Sequence, residues 1–430
     1  MIAACLAPIL ARSAAAQDTA SRGIRLGLTY EPGTKPGVVV LPVRGDGGDS
    51  VRAILQRDLD YGDRIAVIAA EGSSAAEVAR AAAGTLDYPL WKALGAAAIV
   101  QATLTPGSLH VALHDVTARQ VARVKEFPLA TPAYSPEWRS SIHGVSDEIE
   151  AWITGTRGIA RSRVLYAREG RIYVIDSDGA GDRAMTEGGG AMSPAWHPNG
   201  RAFAYSAFGE RGTQILLRDL GSRQGRVVPG TTRGLNITPE FSPDGATLLY
   251  AHGEETGTDL MATDGTGSGP GHRITVSRGT DNVSPSFSPD GRRLAFTAGR
   301  SGHPEIYTAD IDGSNAELLT TFNYGDQSYR SNPAWSPDGR LIAFQSQLGG
   351  RFQIMTISLR DRSVKQLSSD GVNEDPSWAP DARHLVFTSS RSGAKQLVVL
   401  DIESGRTRQL TRSPGSRLAA WSRRLADAAP

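Results

Sequence analysis

The chain has 430 residues, which is enough for two or three domains. Its 46 Lys and Arg residues nearly balance its 45 Asp and Glu residues, which argues against a protein that binds nucleic acid electrostatically. No run in the sequence approaches the roughly 18 consecutive apolar residues of a membrane span. The 48 glycines and the 7% of aromatic residues suit an all-β protein with many turns.

The first 16 residues are apolar, rich in small side chains, and end in Ala14-Ala15-Ala16. They resemble a secretory signal peptide cleaved after Ala16, although the missing basic region leaves the true start codon open. The single cysteine, Cys5, lies inside this stretch. A chain cleaved after Ala16 has no cysteine, which fits an exported protein without disulfides and excludes thiol catalysis and Cys-ligated zinc. We therefore predict a signal peptide at 1–16 and an extended segment at 17–36.

Residues 37–155, called the front domain below, predict a small α/β domain because helical and strand patterns alternate. Strands are expected at 38–41, 65–68, 99–102, 109–113 and 121–124, with helices at 50–61, 88–94 and about 136–153. The last helix carries an apolar stripe with spacings of 4, 3, 4 and 3, made of Trp138, Ile142, Val145, Ile149 and Trp152. The domain is expected to end at Gly155.

From residue 163 to 425 one motif recurs, and its clearest copy is Pro333-Ala334-Trp335-Ser336-Pro337-Asp338-Gly339. A period of about 40–50 residues is typical of four-stranded propeller blades. In Ser-Pro-Asp-Gly the proline and glycine favour a tight turn. We interpret the aromatic anchors as packing residues between blades. The six anchors are Trp196, Phe241, Phe287, Trp335, Trp378 and Trp421.

The ends of the repeat region predict how the ring closes. Three strands without partners precede the first anchor, at 164–167, 172–175 and 183–186, and a single strand, 418–422, follows the fifth copy. Together they complete one blade. We predict a six-bladed β-propeller closed three-plus-one, a closure that removes exposed sheet edges.

Catalytic and metal-binding patterns are scarce. No serine has glycine at both −2 and +2, so the nucleophile elbow of a serine hydrolase is missing. Residues 310–315 resemble the start of an EF-hand loop but lack its flanking helices, and His143 suits a structural role. No metal or cofactor is predicted. Two classes remain: a non-catalytic binding scaffold, favoured by the small residues beside the anchors, or another exported propeller. The latter is an enzyme with a channel site, or the lid or binding module of a peptidase.

Three motifs carry a family resemblance. Asp58-Leu59-Asp60-Tyr61-Gly62 is similar to D-L-x-x-S-G with tyrosine for serine, and residues 154–159 leading into 163–166 match T-G-x-x-G and a first propeller strand. With the repeats, these motifs resemble the TolB family, the periplasmic propellers of the Tol–Pal system, over nearly the whole mature chain. The terminal motif departs from the family because Trp421-Ser422 is followed by Arg423 rather than proline.

The resemblance implies a non-catalytic periplasmic monomer that supports outer-membrane integrity and cell division. It implies that the propeller binds Pal, the peptidoglycan-associated lipoprotein. It also implies that an extended N-terminal segment binds TolA. The protein would then be associated with membranes only through Pal and TolA. The matching segment is Ile24, Arg25, Leu26, Gly27, Leu28, Thr29 and Tyr30. Its alternating apolar residues suit either a strand added to a partner sheet or an ordinary first strand of the front domain.

Because neighbouring strands in a blade run in opposite directions, the connections between them lie on two opposite faces of the propeller. The tight-turn face carries turns such as 336–339 and 312–315, and the long-loop face carries the second hairpins and the crossings between blades, such as 321–332. Long variable loops on a rigid scaffold are where binding usually sits, and Tyr and Arg are frequent interface anchors. We predict partner binding at the long-loop face through Asn236, Asp281, Asn282, Asn323, Tyr324, Tyr329, Arg330, Asn332, Asn373, Glu374 and Asp375.

Overall fold

The structure is a computed structural model that describes residues 34–69, 86–222, 224–276, 279–320 and 328–425. The predicted signal peptide and the segment Ile24–Tyr30 lie outside these residues, as do Asn323 and Tyr324. Within the described ranges, no helix is both long enough and apolar enough to cross a membrane.

The front domain is a mixed five-stranded sheet of order β2-β1-β3-β4-β5 with helices against it. Strand β1 runs parallel to β2 and β3, whereas β3, β4 and β5 pair antiparallel. The elements in chain order are β1 (Gly37–Val40), α1 (Gly48–Tyr61), β2 (Ala66–Val67), α2 (Tyr88–Ala93), β3 (Ala96–Thr105), β4 (Ser108–Asp115), β5 (Gln120–Pro128) and α3 (Pro136–Thr154).

Helix α3 forms where its sequence signals place it. The Ser135 side chain accepts a hydrogen bond from the backbone N–H of Trp138, Pro136 occupies the first turn, and Gly155 ends the helix at a φ of 78°. The apolar stripe of α3 packs with α1 on one face of the sheet, in a core that includes Val38, Val40, Val51, Leu55, Val100, Ile142, Val145 and Ile149.

The described residues from 163 to 421 form a six-bladed β-propeller, which confirms the predicted fold class. Each blade is a four-stranded antiparallel sheet. From the inner strand outward, the first blade consists of β9 (Met192–Trp196), β10 (Ala202–Gly209), β11 (Gly212–Asp219) and β12 (Arg226–Val227), and the second of β13 (Leu235–Phe241), β14 (Thr247–Glu254), β15 (Gly257–Asp264) and β16 (His272–Arg273). The third consists of β17 (Asn282–Phe287), β18 (Arg293–Ala298), β19 (Glu305–Asp310) and β20 (Glu317–Leu318), and the fourth of β21 (Arg330–Trp335), β22 (Leu341–Leu348), β23 (Arg351–Ser358) and β24 (Val364–Gln366). The fifth consists of β25 (Asn373–Trp378), β26 (His384–Ser389), β27 (Gln396–Asp401) and β28 (Thr407–Gln409).

The sixth blade closes the ring three-plus-one, as predicted. It consists of β29 (Arg417–Trp421), β6 (Arg163–Arg168), β7 (Arg171–Asp176) and β8 (Arg183–Ala184). Trp421 lies opposite Val164 in the β29–β6 ladder. The Trp421 indole N–H donates to Ser162 Oγ at 2.8 Å, and the Ser422 backbone N–H donates to the Arg163 carbonyl at 2.8 Å. The last and first strands are therefore joined by side-chain as well as ladder hydrogen bonds.

The anchors pack between blades. The indole N–H of Trp378 donates to the carbonyl of Ala334 in the preceding blade at 2.9 Å, and Trp196 donates in the same way to Ala420 at 3.1 Å. The turn after each of the first five anchors is held by its own side chains. In the clearest copy, Ser336 Oγ lies 2.6 Å from Asp338 Oδ1 and accepts from the Leu341 N–H, while Gly339 adopts a φ of 75°.

Every inner strand bends at the same position. A register shift there follows a non-glycine residue with φ between 47° and 56°. Such β-bulges re-aim side chains, and here several join neighbouring blades. Ser284 Oγ donates to Asn332 Oδ1 at 2.9 Å, and Asn332 Nδ2 donates to Asp375 Oδ1 at 2.7 Å. The six residues are Ser193, Thr238, Ser284, Asn332, Asp375 and Leu418.

Candidate functional site

The front domain packs against the tight-turn face of the propeller. Arg64 Nη1 lies 3.0 Å from Asp381 Oδ2, Arg406 Nη2 lies 2.7 Å from Asp60 Oδ2, and Arg139 Nη2 lies 2.8 Å from the Asp178 carboxylate. Further interdomain ion pairs, such as Arg57–Asp178 and Arg406–Asp63, are on the same face. The front domain therefore does not cover the long-loop face there.

Within the described part of the propeller, exposed large apolar side chains are concentrated on the long-loop face. Tyr329 is 41% exposed and meets Phe352 edge-on, with ring centroids 5.3 Å apart. Within the described residues, seven large apolar side chains of the propeller are exposed, and five belong to this face: Phe208, Leu235, Val276, Tyr329 and Leu348. The other two, Ile311 and Val364, lie beside tight turns. The uncovered face thus has the more apolar surface.

Three of the predicted contact residues are buried. Asn236, Asn282 and Asn373 have no exposed surface, and each occupies the start of an inner strand. The amide of Asn236 donates to the carbonyls of Thr213, Thr231 and Arg233 at 2.7–3.0 Å. The other two donate likewise to nearby carbonyls. These side chains fix the crossing loops and do not present polar groups to solvent.

Arg330 is committed to a buried carboxylate. Glu305 has no exposed surface, and its Oε2 lies 3.0 Å from Arg330 Nη1, whose side chain is 21% exposed. The hydroxyls of Thr320 and Ser328 also donate to the Glu305 carboxylate. Adjacent residues therefore have different roles, because Tyr329 points to solvent while Arg330 neutralises a buried charge between two blades.

The remaining described residues of the predicted set are spread around the face. Asn332 and Asp375 meet at 2.7 Å in the chain of bulge side chains. Burial, and next the neighbouring Glu374, raise the pKa of Asp375. Glu374 pairs with Lys395 at 2.6 Å, and Asp281 is exposed in its crossing loop. Among these, the structure brings only Asn332 and Asp375 into direct contact.

Several surface residues on this face were not anticipated. Phe208, Leu235 and Leu348 are exposed at strand ends, and Phe352 supports Tyr329. The sequence contained a signal for two of them: Phe208 and Leu348 each directly precede a glycine at the point where the second strand of a blade ends. A large apolar residue at that position extends beyond the packed part of the blade and reaches solvent.

A cavity of about 600 Å³ occupies the tight-turn end of the central channel. All six inner strands contribute to its wall, mainly through the prolines and aromatic anchors of the motif. Its charged lining residues are Glu240, Arg423 and Arg424. Burial raises the pKa of Glu240 to about 8. Glu240 is the one acidic residue among the residues that line this cavity, and no histidine lines it.

Two groups of histidine and aspartate lie between the domains: Asp58, His143 and Asp178; and Asp63, His384 and Asp401. In each, potential ligand atoms lie within 4.8 Å of one another. Arginines already contact three of these carboxylates, those of Asp63, Asp178 and Asp401. Arg57 Nε and Arg139 Nη2 lie 3.2 and 2.8 Å from Asp178 Oδ2, and Arg406 Nη1 lies 3.0 Å from Asp63 Oδ1. Side chains of the protein itself neutralise the negative charge of these aspartates, so both groups are interdomain ion-pair clusters.

Comparison with known proteins places the fold among TolB propellers. The family described as the TolB beta propeller domain matches residues 151–425. Three curated relatives named Tol-Pal system protein TolB are similar. That of Gluconobacter oxydans (strain 621H) is 28% identical over 207 residues. Those of Polaromonas sp. (strain JS666 / ATCC BAA-500) and Polaromonas naphthalenivorans (strain CJ2) are 32% and 30% identical over 158 and 221 residues.

These matches are partial in length. They cover 45%, 35% and 49% of this chain and 44%, 36% and 48% of the respective relatives, so the chain matches less than half the length of each. Among solved structures, TolB from Acinetobacter baumannii has a TM-score of 0.76 at 23% identity, covering 91% of this chain and 97% of that one. Hydrazine synthase of Kuenenia stuttgartiensis has a TM-score of 0.52 at 14% identity, over 60% of this chain and 46% of that one. Both similarities concern the fold.

Proposed function

The chain belongs to the TolB beta-propeller family, and on that basis we propose that it is a non-catalytic, periplasmic protein-binding scaffold of the Tol–Pal system. In this proposal the propeller binds the lipoprotein Pal through its long-loop face. The segment Ile24–Tyr30 binds TolA. Through these partners the protein supports outer-membrane integrity and cell division.

The observation that carries the proposal is the asymmetry of the two propeller faces. The front domain covers part of the tight-turn face, whereas the long-loop face has five of the seven exposed large apolar side chains in the described part of the propeller. Apolar side chains gathered on one surface are typical of protein-interaction sites. Tyr329, supported edge-on by Phe352, has the amphipathic side chain that interface anchors commonly use.

The buried asparagines support the same proposal. Because the side chains of Asn236, Asn282 and Asn373 bond to loop carbonyls, the crossings are held in one conformation before any partner arrives. A preorganised surface loses less conformational entropy on association. The long-loop face therefore combines apolar surface with restrained loops.

The test is a calorimetric titration of the mature protein with the soluble domain of Pal. We expect Tyr329→Ala with Leu348→Ala to weaken binding at least tenfold, about 1.4 kcal/mol. Arg330 is left intact because its loss would disturb the buried Glu305. The matched control is Ile311→Ala with Val364→Ala, two similarly exposed apolar residues at the opposite face. If the control pair weakens binding and the long-loop pair does not, Pal binds the other face.

A further inference from the structure

His384 joins the two domains from a fully buried position at the start of β26. Its Nδ1 lies 2.8 Å from Oδ2 of Asp381, in the preceding turn of the same blade. Its Nε2 lies 3.3 Å from Oδ2 of Asp63, which belongs to the loop between α1 and β2 of the front domain. Each ring nitrogen therefore faces a carboxylate, and the two carboxylates belong to different domains.

This geometry favours a doubly protonated ring. A neutral imidazole has a single N–H donor, so it can donate to one of the two carboxylates but not to both. In the neutral ring, the other nitrogen would direct a lone pair at a carboxylate oxygen. The imidazolium ion donates from both nitrogens and also carries the charge that both carboxylates attract.

The surroundings of His384 are dense in charge. From the front domain, Arg64 bridges Asp381 and Glu150 at 3.0 and 3.4 Å, and Lys35 lies 3.6 Å from Asp63. Further charged groups face the cluster from the turn before β26, from β27 and the turn after it, from β28 and from the end of α1. They are Arg383, Asp401, Glu403, Arg406, Arg408 and Asp60.

We propose that His384 is a proton-dependent latch between the front domain and the propeller. With the imidazolium present, Asp63 and Asp381 are held together and the domains stay docked. When the ring loses its proton, one hydrogen bond is replaced by a repulsive contact in a buried site, and the docked arrangement is weakened relative to a separated one. This role is independent of the partners named above.

The titration behaviour of the groups supports this direction. Burial opposes a charge on His384, but hydrogen bonds to Asp381 and Asp63 outweigh it, and the pKa of His384 is raised above its ordinary value of 6.5. A group with a raised pKa contributes stability below its ordinary pKa, and that stability is lost as pH rises through the raised value. Burial also raises the pKa of Glu150 to about 7. Its ionisation adds a buried negative charge over the same range, so docking is expected to weaken from mildly acidic to alkaline pH.

The latch can be tested by measuring the distance between the domains. Spin labels are placed on Val124→Cys in the front domain and Val364→Cys in the propeller, both exposed, in a full-length Cys5→Ser chain. Double electron–electron resonance is recorded at pH 5.5 and pH 9. We expect one distance at pH 5.5 and a second, separated population at pH 9 that is at least tenfold larger than at pH 5.5.

Two variants with opposite expected effects keep the test decisive. His384→Gln should raise the separated population at pH 5.5 and leave only the smaller pH dependence that the ionisation of Glu150 contributes. Glu150→Gln should reduce the separated population at pH 9 at least threefold, a gain of docking that a misfolded protein would not show. The control His252→Gln, whose ring contacts Asn236 and Glu254 on the long-loop face, should behave as the parent chain. Equal distance distributions at both pH values in the parent chain would overturn the latch, as would parent-like behaviour of either His384→Gln or Glu150→Gln.

Discussion

Replacing Arg330 by methionine separates a structural role from a binding role on the long-loop face. The change removes the cation opposite Glu305 but retains the length and much of the packing of the side chain. Glu305 is fully buried, and breaking a buried ion pair typically costs about 3–5 kcal/mol. Two hydroxyl donors and His303, 3.2 Å away, remain with the carboxylate, and Arg330 is itself one-fifth exposed. We therefore expect a smaller loss of unfolding free energy, about 2–3 kcal/mol.

The assay is urea unfolding followed by circular dichroism, run as a double-mutant cycle with Glu305→Met. The double variant should recover most of the loss, because two apolar side chains can replace a buried pair at little cost. The coupling free energy between the two sites should then be at least about 1.5 kcal/mol. If Arg330→Met unfolds within about 0.5 kcal/mol of the parent chain while Pal binding falls tenfold, Arg330 is a contact residue and the reasoning is refuted.

Two further predictions concern the N-terminal segment and the blade anchors. Deleting residues 24–30 should abolish TolA binding and leave the melting temperature nearly unchanged in calorimetry; a large fall in melting temperature would instead identify a structural strand. Trp378→Phe should lower the unfolding free energy by about 1–2 kcal/mol, because it leaves the Ala334 carbonyl without its indole donor. Trp335→Phe should cost about 1 kcal/mol less than Trp378→Phe, because both lose the same ring atoms but the buried indole nitrogen of Trp335 has no hydrogen-bond partner; equal losses in urea unfolding would contradict this account.

Local chemistry explains why the ring was predictable from the sequence. The anchors recur at the length of a blade, and the turn after an anchor is fixed by residues within five positions, as Ser336 and Asp338 show. The stripe on α3 is likewise a local pattern. The closure of the ring could be predicted by counting strands, because one strand after the last full blade and three strands before the first blade complete one sheet. Each inference needed only short-range order or a count.

The site was less predictable because its residues depend on distant partners. Asn236 is a polar residue of a type common in surface loops, yet it is buried beneath the connection between two blades. Tyr329 and Arg330 are neighbours, and only the position of Glu305, 25 residues earlier, decides that one is exposed and the other paired. The contact between His384 and Asp63 joins residues 321 positions apart. No periodicity in the sequence reports such pairs, so the Ile24–Tyr30 segment and the loop contacts stay predictions.

The three-plus-one closure also determines how the molecule would respond to mechanical force. A load applied through the front domain enters the propeller at Arg163, the first residue of β6. Strand β6 is an inner member of its sheet, hydrogen-bonded to β29 on one side and β7 on the other. Pulling along β6 shears both ladders at once, so many hydrogen bonds share the load. The blade formed by the first three strands and the last strand of the propeller is therefore the one that we expect to resist tension between the domains.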